Sequence, residues 1–330
     1  MARFERLVLV GVVVSVLGGC GGAPSRAGDD ATNEPDRRPE LGPLHVDADA
    51  HDFSRNPVVL DQIVRSRYAY FRFVAIPWSQ ATCDAFASAL NRFPAVNLHG
   101  DPHVEQYTVV ADAFGLDDFD RATTGPAVID LSRFAGSLFL TSELKGWGDG
   151  DEVVESFLDA YLEAVDDPDL IEAQPSFVDR MRVDRGRTHA EFLVWADSLM
   201  EELSPEDGEA VEVALAQFGS SMADQDESYR EGFFAPVSYG ALHLGVGSGL
   251  VDKFLVRVAG PTDEPNDDVV IEFKEIQPEQ PTCVSREASG LMLRPVIGSA
   301  RLGRRHSDVL GFIPIIPESD YDGRPFWGRS

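Results

Sequence analysis

The sequence contains little cysteine and little positive charge. Its 3 cysteines form no CxxC pair and no Cys/His cluster of the kind that holds structural zinc. It carries 28 Lys and Arg residues against 56 Asp and Glu residues, which gives a formal net charge of -28 at pH 7. Because nothing offsets the repulsion from phosphate groups, this balance argues against unassisted binding to nucleic acid or to an anionic membrane surface.

The sequence also lacks an apolar run long enough to cross a bilayer core. The run Leu7–Leu17 follows two arginines and is too short to span a membrane. It leads into the residues LGGC, ending at Cys20, which resemble the cleavage box of bacterial lipoproteins. The pattern predicts a signal peptide over residues 1–19 and lipidation of Cys20. We therefore expect a protein of the cell envelope, anchored to the membrane by lipid on the periplasmic or extracellular side.

The remaining composition predicts a tether followed by two lobes. Residues 20–43 are rich in Gly, Pro, Asp and Arg and have almost nothing to bury, which is typical of a disordered segment. With 43% apolar residues in the whole sequence, the rest of the chain can form a sizeable core. We expect a mostly helical lobe over residues 44–235 and a β-rich lobe over residues 236–330. Cys83 and Cys283 either pair in an oxidising compartment or remain two separate buried thiols.

The pattern of apolar and turn residues is typical of an α+β protein. Helices are predicted where apolar residues recur at helical spacing: Ser79 to Phe93, Ile129 to Trp147, Asp151 to Val165, and most of Asp179 to Gln225 with a break near Ser204-Pro205. Residues 95–98 predict a short strand. The apolar segments 241–258 and 269–276, separated by turn-forming residues, predict a β-hairpin.

Two adjacent motifs place three carboxylates close together in the sequence. They are HGDPHVEQY, residues 99–107, and LDDFDRATTGPAVIDL, residues 116–131. Apolar segments flank Asp101, Asp118 and Asp120, and carboxylates held in this way can position a metal ion or accept a proton. This layout is typical of a phosphoryl-transfer site. The alternative is structural, because Asp and Gly are common in turns and an aspartate can simply cap the segment that follows it.

A glycine-rich turn and a lysine form a second candidate site. The residues GVGSG, 245–249, lie between predicted strands, and Lys274 lies in the apolar segment VVIEFKEI of this lysine-poor chain. Glycines let backbone N–H groups approach phosphate oxygens, and a lysine on a neighbouring strand can reach the same phosphates. The alternatives are a plain tight hairpin and a surface lysine paired with Glu272 or Glu275.

Taken together, these segments resemble one family. RYAYFRF at residues 67–73, HGDPHVEQY, DDFD followed by GP and IDLSRFAGSL, the GVGSG turn and FKEIQ look like the uncharacterised bacterial family named domain of unknown function 2252, in the same order and at similar spacing. The resemblance covers about residues 65–311. Its most specific part is the block from DDFD to IDLSRFAGSL.

That family in turn resembles protein-kinase-like phosphotransferases of the aminoglycoside and choline kinase type. The resemblance implies a two-lobed, protein-kinase-like α+β fold. In this chain the glycine turn and Lys274 follow the histidine-aspartate motif, whereas in kinases they precede the catalytic loop. The implied fold is therefore circularly permuted, with the helical lobe first and the β-rich glycine-loop lobe second.

The resemblance also implies the catalytic and metal-binding residues. Asp101 would be the catalytic base that orients the acceptor hydroxyl, and His99 would organise the backbone beside it. Asp118 would bind Mg²⁺, with Asp120 next to it. Gln106 stands where kinases have a metal-binding asparagine, and it offers the same amide oxygen on a longer side chain.

The remaining matches imply structural and nucleotide-binding residues. Asp130 would brace the catalytic loop, and Arg133 in the same block would be structural. Lys274 would hold the phosphates of ATP or another nucleotide, which the backbone of the turn would cover at its three glycines, Gly245, Gly247 and Gly249.

Three functions remain open at the level of sequence. The first is an exported Mg²⁺-dependent phosphotransferase that acts on a small-molecule acceptor. The second is a catalytically inactive kinase-like module that binds a nucleotide or small molecule at the membrane. The third is a structural envelope lipoprotein whose acidic face binds Ca²⁺ or a basic partner. Intact Asp101, Asp118 and Lys274 favour the first, whereas Gln106 and the export signal favour the second.

Overall fold

The computed structural model describes residues 42–110, 113–116, 118, 121–167, 176–183, 188–225, 229, 231–275, 283–284, 319–321 and 324–329. The predicted signal peptide, the lipidation site Cys20 and nearly all of the predicted tether lie outside these residues. Within the described part of the chain, no helix combines the length and the apolar character that a membrane span requires.

The α-helices lie between residues 57 and 225. In chain order they are α1 (Pro57–Arg65), α2 (Arg67–Phe73), α3 (Ala75–Ala85), α4 (Val128–Lys145), α5 (Gly150–Asp166), α6 (Ser176–Val183), α7 (His189–Asp197) and α8 (Pro205–Gln225). The helices predicted at α4 and α5 are confirmed to within two residues at each end, and the predicted break before Pro205 is also present. In α5 the apolar spacing marks the buried face, which includes Val154 and Leu158. In α4 small and polar residues such as Ser132 and Gly136 are buried as well, so apolar spacing alone does not define its buried face.

The predicted helix start at Ser79 is wrong. Helix α3 begins at Ala75, and Pro77 lies in its first turn, where a backbone N–H has no partner within the helix and proline is tolerated. Ser79 is therefore inside the helix, where it is buried. The helix also ends at Ala85, and a single 3-10 turn, Leu90–Arg92, follows it.

The strands of the described residues form three antiparallel sheets. β1 (Ala95–Leu98) pairs with β4 (Thr123–Pro126), and β2 (Tyr107–Val110) pairs with β3 (Ala113–Leu116). The largest sheet has five strands in the order β5-β6-β7-β9-β8. Its strands are β5 (Pro236–Ala241), β6 (Lys253–Val258), β7 (Val269–Glu275), β8 (Ser319–Tyr321) and β9 (Arg324–Arg329). The predicted strand at 95–98 and the predicted hairpin, formed by β6 and β7, are both confirmed.

Helix α8 covers one face of the five-stranded sheet. Its residues Leu215 and Phe218 are buried in one cluster with Phe254, Val256 and Ile271 of β6 and β7. Successive residues of a strand point to opposite faces of the sheet. The residues that alternate with these apolar ones point away from α8. They include Lys253 of β6 and Lys274 of β7.

Helix α4 is the centre of the helical region. Ala135 of α4 packs with Val154 and Leu158 of α5 on one side. On another side, Leu140 packs with Trp78 of α3 and Phe71 of α2. Three helices surround α4, so charged residues on its packed faces are buried. Such residues need partners in the interior, because an unpaired buried charge is costly.

The two cysteines that follow Cys20 in the sequence form a disulfide. Cys83 of α3 is bonded to Cys283, with a Cα–Cα distance of 5.6 Å across a sequence separation of 200 residues. The structure thus decides between the two alternatives that the sequence left open. The bond places Val284 in a buried cluster with Leu98 and Ile129, so residues 283–284 lie next to the end of β1.

We expect reduction of this disulfide to destabilise the fold. Disulfides that close long loops contribute about 2–5 kcal/mol to the free energy of unfolding. The loop closed by this bond is long, because its cysteines are 200 residues apart. Urea unfolding of the wild type with and without a reductant should show a loss of that size, and Cys83→Ser combined with Cys283→Ser should match the reduced protein. The double variant is the control, because its stability should not respond to reductant. A wild type that is equally stable in both conditions would contradict the contribution assigned to the bond.

Candidate functional site

The loop that follows β1 has a backbone conformation only glycine adopts easily. Gly100 has a φ of +89°, and a Cβ atom there would lie 2.1 Å from the carbonyl oxygen of Arg121. Asp130 of α4 accepts hydrogen bonds from the backbone N–H groups of His99 at 2.6 Å and of Gly100 at 3.1 Å. The ring Nδ1 of His99 accepts the backbone N–H of Asp101 at 3.3 Å. The brace by Asp130 and the backbone contact by His99, both implied by the family resemblance, are therefore present.

Asp101 forms a buried ion pair with Arg133 of α4. Arg133 Nε donates to Asp101 Oδ1 at 2.8 Å, and the side chains are 0% and 8% exposed respectively. The Arg133 guanidinium also lies 3.7 Å from the ring centre of Phe71, which adds a cation–π contact. Burial alone would raise the pKa of Asp101, but the charge of Arg133 lowers the pKa below its usual value. Asp101 is therefore a carboxylate at neutral pH.

His103 is a functional candidate that the sequence did not reveal. It is fully buried, and neither ring nitrogen has a hydrogen-bond partner among the described residues. The pKa of His103 is lowered to about 3, mainly by burial, while Asp101 opposes this shift and the charges of Arg72 and Arg133 add to it. The ring is therefore neutral at physiological pH. Its only signal in the sequence is its place two residues after Asp101, which does not distinguish it from a surface histidine.

Lys274 contacts Asp118 directly. Lys274 Nζ lies 3.2 Å from Asp118 Oδ1 and 3.3 Å from Oδ2, although the two residues are 156 positions apart. The expectation that these groups lie within about 10 Å of each other, the scale of a nucleotide–metal site, is confirmed. Glu272 and Glu275 were the alternative partners by sequence. Asp118 has a φ of 61°, an uncommon left-handed conformation that aspartate tolerates better than most residues.

The glycine turn packs closely over the Asp101 loop. It lies in the connection between β5 and β6, and a Cβ atom on Gly247 would lie 3.1 Å from the carbonyl oxygen of Arg72 and 4.0 Å from Asp101 Oδ2. A Cβ atom on Gly249 would lie 2.4 Å from Val59 of α1. Asn56 Nδ2 also donates to the Gly249 carbonyl at 3.2 Å. Gly249 is thus required for close packing and Gly247 lies in a tight contact, which is a structural need in addition to any role with phosphate.

Lys253 is a second buried lysine beside Lys274, and the sequence reasoning missed it. Its ammonium group donates to the carbonyl oxygen of Leu244 and lies 3.5 Å from Ser248 Oγ, so it contacts both sides of the glycine turn. Gly245 in this turn has a φ of +90°. The alternation of apolar and basic residues in KFLVRV was the available signal, because it places Lys253 on the face that carries Lys274.

The proposed metal ligands are only partly described. Gln106 is buried in the 3-10 turn Val104–Gln106, a few residues after Asp101. Asp120 lies outside the described residues. Among the residues that are described, no group of three or more His, Cys, Asp or Glu side chains is placed to hold a metal ion. Asp118 nevertheless fits Mg²⁺ bound with a nucleotide, because this ion takes one or two carboxylates and completes its shell with phosphate oxygens and water.

We use the term motif site for Asp101, Asp118, Lys274 and the glycine turn 245–249. The turn lies next to both the Asp101 part and the lysine part of this site. Gly247 approaches Asp101, and Leu244 and Ser248 contact Lys253, which lies beside Lys274. The motif site thus combines an ionised carboxylate, a cation paired with a second carboxylate, and a glycine-rich backbone turn. These are the groups that position a hydroxyl, a metal ion and phosphate oxygens in phosphoryl transfer.

Comparison with known proteins identifies a family without an assigned activity. Residues 54–193 match the family described as "Uncharacterized protein conserved in bacteria (DUF2252)". This match confirms the family that the motifs indicated, and it includes both halves of the carboxylate-rich segment. No curated protein and no solved structure matches the chain.

Gly100→Ala should destabilise the protein strongly. An alanine costs about 1 kcal/mol in a left-handed conformation, and here its Cβ atom would also overlap the carbonyl of Arg121. Gly146→Ala is the matched control, because Gly146 has a φ of +65° with nothing within 4 Å of a Cβ atom. Urea unfolding should show a loss of about 1 kcal/mol for the control and at least about twice that for Gly100→Ala. Equal losses would contradict the described overlap.

His103 should make the protein less stable in mild acid. Its folded pKa of about 3 lies below the ordinary 6.5, so between these values only the unfolded state binds the proton. Stability is lost as the pH falls through about 6.5, and the loss between pH 7 and pH 5 is about 2 kcal/mol. Urea unfolding at both pH values should show a smaller loss for His103→Gln than for the wild type. Exposed His45→Gln should behave like the wild type, and an unchanged loss in His103→Gln would refute the assignment.

Proposed function

Residues 54–193 of this chain belong to the DUF2252 family of uncharacterised bacterial proteins, and from that premise we propose a function for the motif site. We propose that the protein is an exported, lipid-anchored, kinase-like phosphotransferase that uses Mg²⁺ and a nucleotide to phosphorylate a small-molecule acceptor. The observation that carries the proposal is the contact of Lys274 with Asp118 at 3.2 Å. The basic residue and the metal-binding carboxylate that the proposal requires lie at one site.

A permuted two-lobed fold is part of the same proposal. Among the described residues, the α-helices lie before residue 226 and the five-stranded sheet after residue 235, which is the order of helical and β-rich parts that permutation requires. The glycine turn and Lys274 come late in the sequence, yet they contact or approach residues of the earlier motifs. Spatial convergence of motifs that are in reversed order supports the permuted arrangement.

Each residue of the motif site has a role in the proposed reaction. Lys274 would bind phosphate oxygens, and Asp118 would hold Mg²⁺. Such an ion would supply positive charge that stabilises the transferred group. Asp101 accepts the hydrogen bond of the acceptor hydroxyl and orients its oxygen. The ion pair with Arg133 fixes Asp101 in place and keeps it ionised, so it acts mainly as an orienting acceptor.

The disulfide supports the proposed location. Disulfides persist in oxidising compartments such as the periplasm or the cell surface and are rare in the reducing cytosol. The Cys83–Cys283 bond therefore fits an exported protein. Its formation and the lipoprotein-like residues ending at Cys20 are independent features, and both support an envelope location.

An inactive nucleotide-binding module is the second candidate. It is favoured by the close packing of the glycine turn against Arg72 and Val59, since this turn must move before a ligand reaches Asp101. The pairing of Asp118 with Lys274 also means that a ligand competes with an existing ion pair. A structural envelope lipoprotein that binds Ca²⁺ or a basic partner is the remaining alternative, and it predicts no nucleotide binding at all.

Binding and turnover separate these candidates. The test uses Cys20→Ser protein purified without lipid, titrated with MgATP by calorimetry and assayed for phosphate transfer or release. Lys274→Ala should weaken nucleotide binding by at least about tenfold, since it removes a charged hydrogen bond. Asp101→Asn should spare binding and lower turnover by about 10²-fold or more. Asp118→Asn should weaken the dependence of binding on Mg²⁺. Exposed Lys145→Ala is the control, and it should bind and turn over normally.

Each alternative predicts a different pattern. Binding that depends on Lys274 without any turnover would identify the inactive module. No nucleotide binding would leave the structural lipoprotein. Binding that does not change in Lys274→Ala would refute the role proposed for the motif site.

A further inference from the structure

The chain uses lysine at very few positions. Lys145, Lys253 and Lys274 are the lysines of the 330-residue sequence, and the other 25 basic residues are arginines. Lys145 is exposed near the end of α4. The other two are each only 5% exposed. Two of three lysines are thus buried in a chain that otherwise uses arginine for positive charge.

The two buried lysines lie directly opposite each other in the sheet. Lys253 of β6 pairs in register with Lys274 of β7, in an antiparallel ladder. Side chains at such positions share one face, with Cβ atoms about 5 Å apart. Their face is the one opposite α8, because the neighbouring residues of the chain, Phe254 and Phe273, pack with that helix.

This placement carries an electrostatic cost. Like charges directly opposite each other in a sheet are destabilising, and removing an ammonium group from water costs several kcal/mol before its partners compensate. The described contacts offset part of this cost. Lys274 contacts Asp118, whereas Lys253 contacts Leu244 and Ser248 in the glycine-turn connection. One ammonium group is thus next to the Asp118 carboxylate, and the other is next to the turn.

The choice of lysine over arginine fits phosphate better than carboxylate. A guanidinium is a planar fork that suits bidentate pairing, whereas an ammonium is a compact point charge with three donors that binds phosphate in glycine-rich loops. Arginine serves the carboxylate pairs elsewhere in this chain, with Asp101 and with Asp197. Lysine is used at the two paired positions of β6 and β7, 253 and 274, next to the glycine turn.

We propose that Lys253 and Lys274 together bind a polyphosphate chain, each ammonium group contacting a different phosphate group, with Ser248 as an added hydroxyl donor. The inference rests on the proposed function only in placing phosphate at Lys274. It adds a second binding residue and a ligand class, since at least two linked phosphate groups are needed to contact both lysines. Nucleoside triphosphates and inorganic polyphosphate share this chemistry.

Selectivity for linked phosphates tests the proposal. The Cys20→Ser protein and its Lys253→Met, Lys274→Met and Lys145→Met variants are titrated with ATP, AMP, inorganic tripolyphosphate and orthophosphate, each with Mg²⁺. The wild type should bind tripolyphosphate at least about tenfold more tightly than orthophosphate, as expected for one further charged hydrogen bond. Lys253→Met should lose most of that preference. Lys145→Met should keep it.

Lysine labelling provides a second measurement that needs no variant. An amine-acylating reagent, followed by mass spectrometry, reports each of the three lysines separately. Tripolyphosphate should protect Lys253 and Lys274 together and leave the labelling of Lys145 unchanged. Protection of Lys274 without Lys253 would overturn the inference even if Lys253→Met fails to fold.

The outcomes separate this inference from the proposed function. Binding of ATP that depends on Lys274 but keeps its triphosphate preference in Lys253→Met would overturn the inference and leave the function standing. Binding of tripolyphosphate that depends on both lysines, without binding of ATP, would support the inference and overturn the nucleotide function. Binding of neither probe by the wild type would overturn both.

Discussion

Two charged side chains on α4 hold the loop from His99 to Asp101, and the geometry of the motif site depends on them. Asp130 and Arg133 are three residues apart, so they project from the same side of the helix. Asp130 accepts two backbone N–H groups of the loop, and Arg133 pairs with the Asp101 side chain. Because Arg133 is fully buried, moving the loop would leave an unpaired charge in the interior, which costs about 3–5 kcal/mol.

The second constraint joins the sheet to the carboxylate motifs. Lys274 is buried in β7, so it needs a counter-charge, and Asp118 supplies one from a backbone conformation that few residues adopt. The glycine turn packs against the same site, because a Cβ atom at position 247 would lie only 3.1 Å from the carbonyl oxygen of Arg72. Electrostatic pairing and close backbone packing, acting together, bring residues more than 100 positions apart in the sequence into one site.

The sequence predicted those features that local patterns determine. Apolar periodicity located α4 and α5. The HGD and DDFD motifs pointed to Asp101 and Asp118 of the candidate site. The start of α3 was missed because a proline in a first helical turn looks like a helix boundary. The Cys83–Cys283 bond was undecided because pairing depends on distances that spacing does not give. Lys253 was missed because its burial follows from the register of β6 on β7 and from the turn that covers it.

The same contacts explain how a phosphate-binding site could remain folded without ligand. Two buried ammonium groups repel each other, and Asp118 offsets part of that repulsion through its contact with Lys274. A polyphosphate would supply more negative charge than one carboxylate does, so it would displace Asp118 from the lysine and free this carboxylate for a metal ion. Under the proposed function, phosphate and metal binding would be coupled through Lys274, because each would favour separation of the same ion pair. When no phosphate is bound, the pairing of Asp118 with Lys274 neutralises part of the positive charge of the site and lowers the cost of burying its ammonium groups.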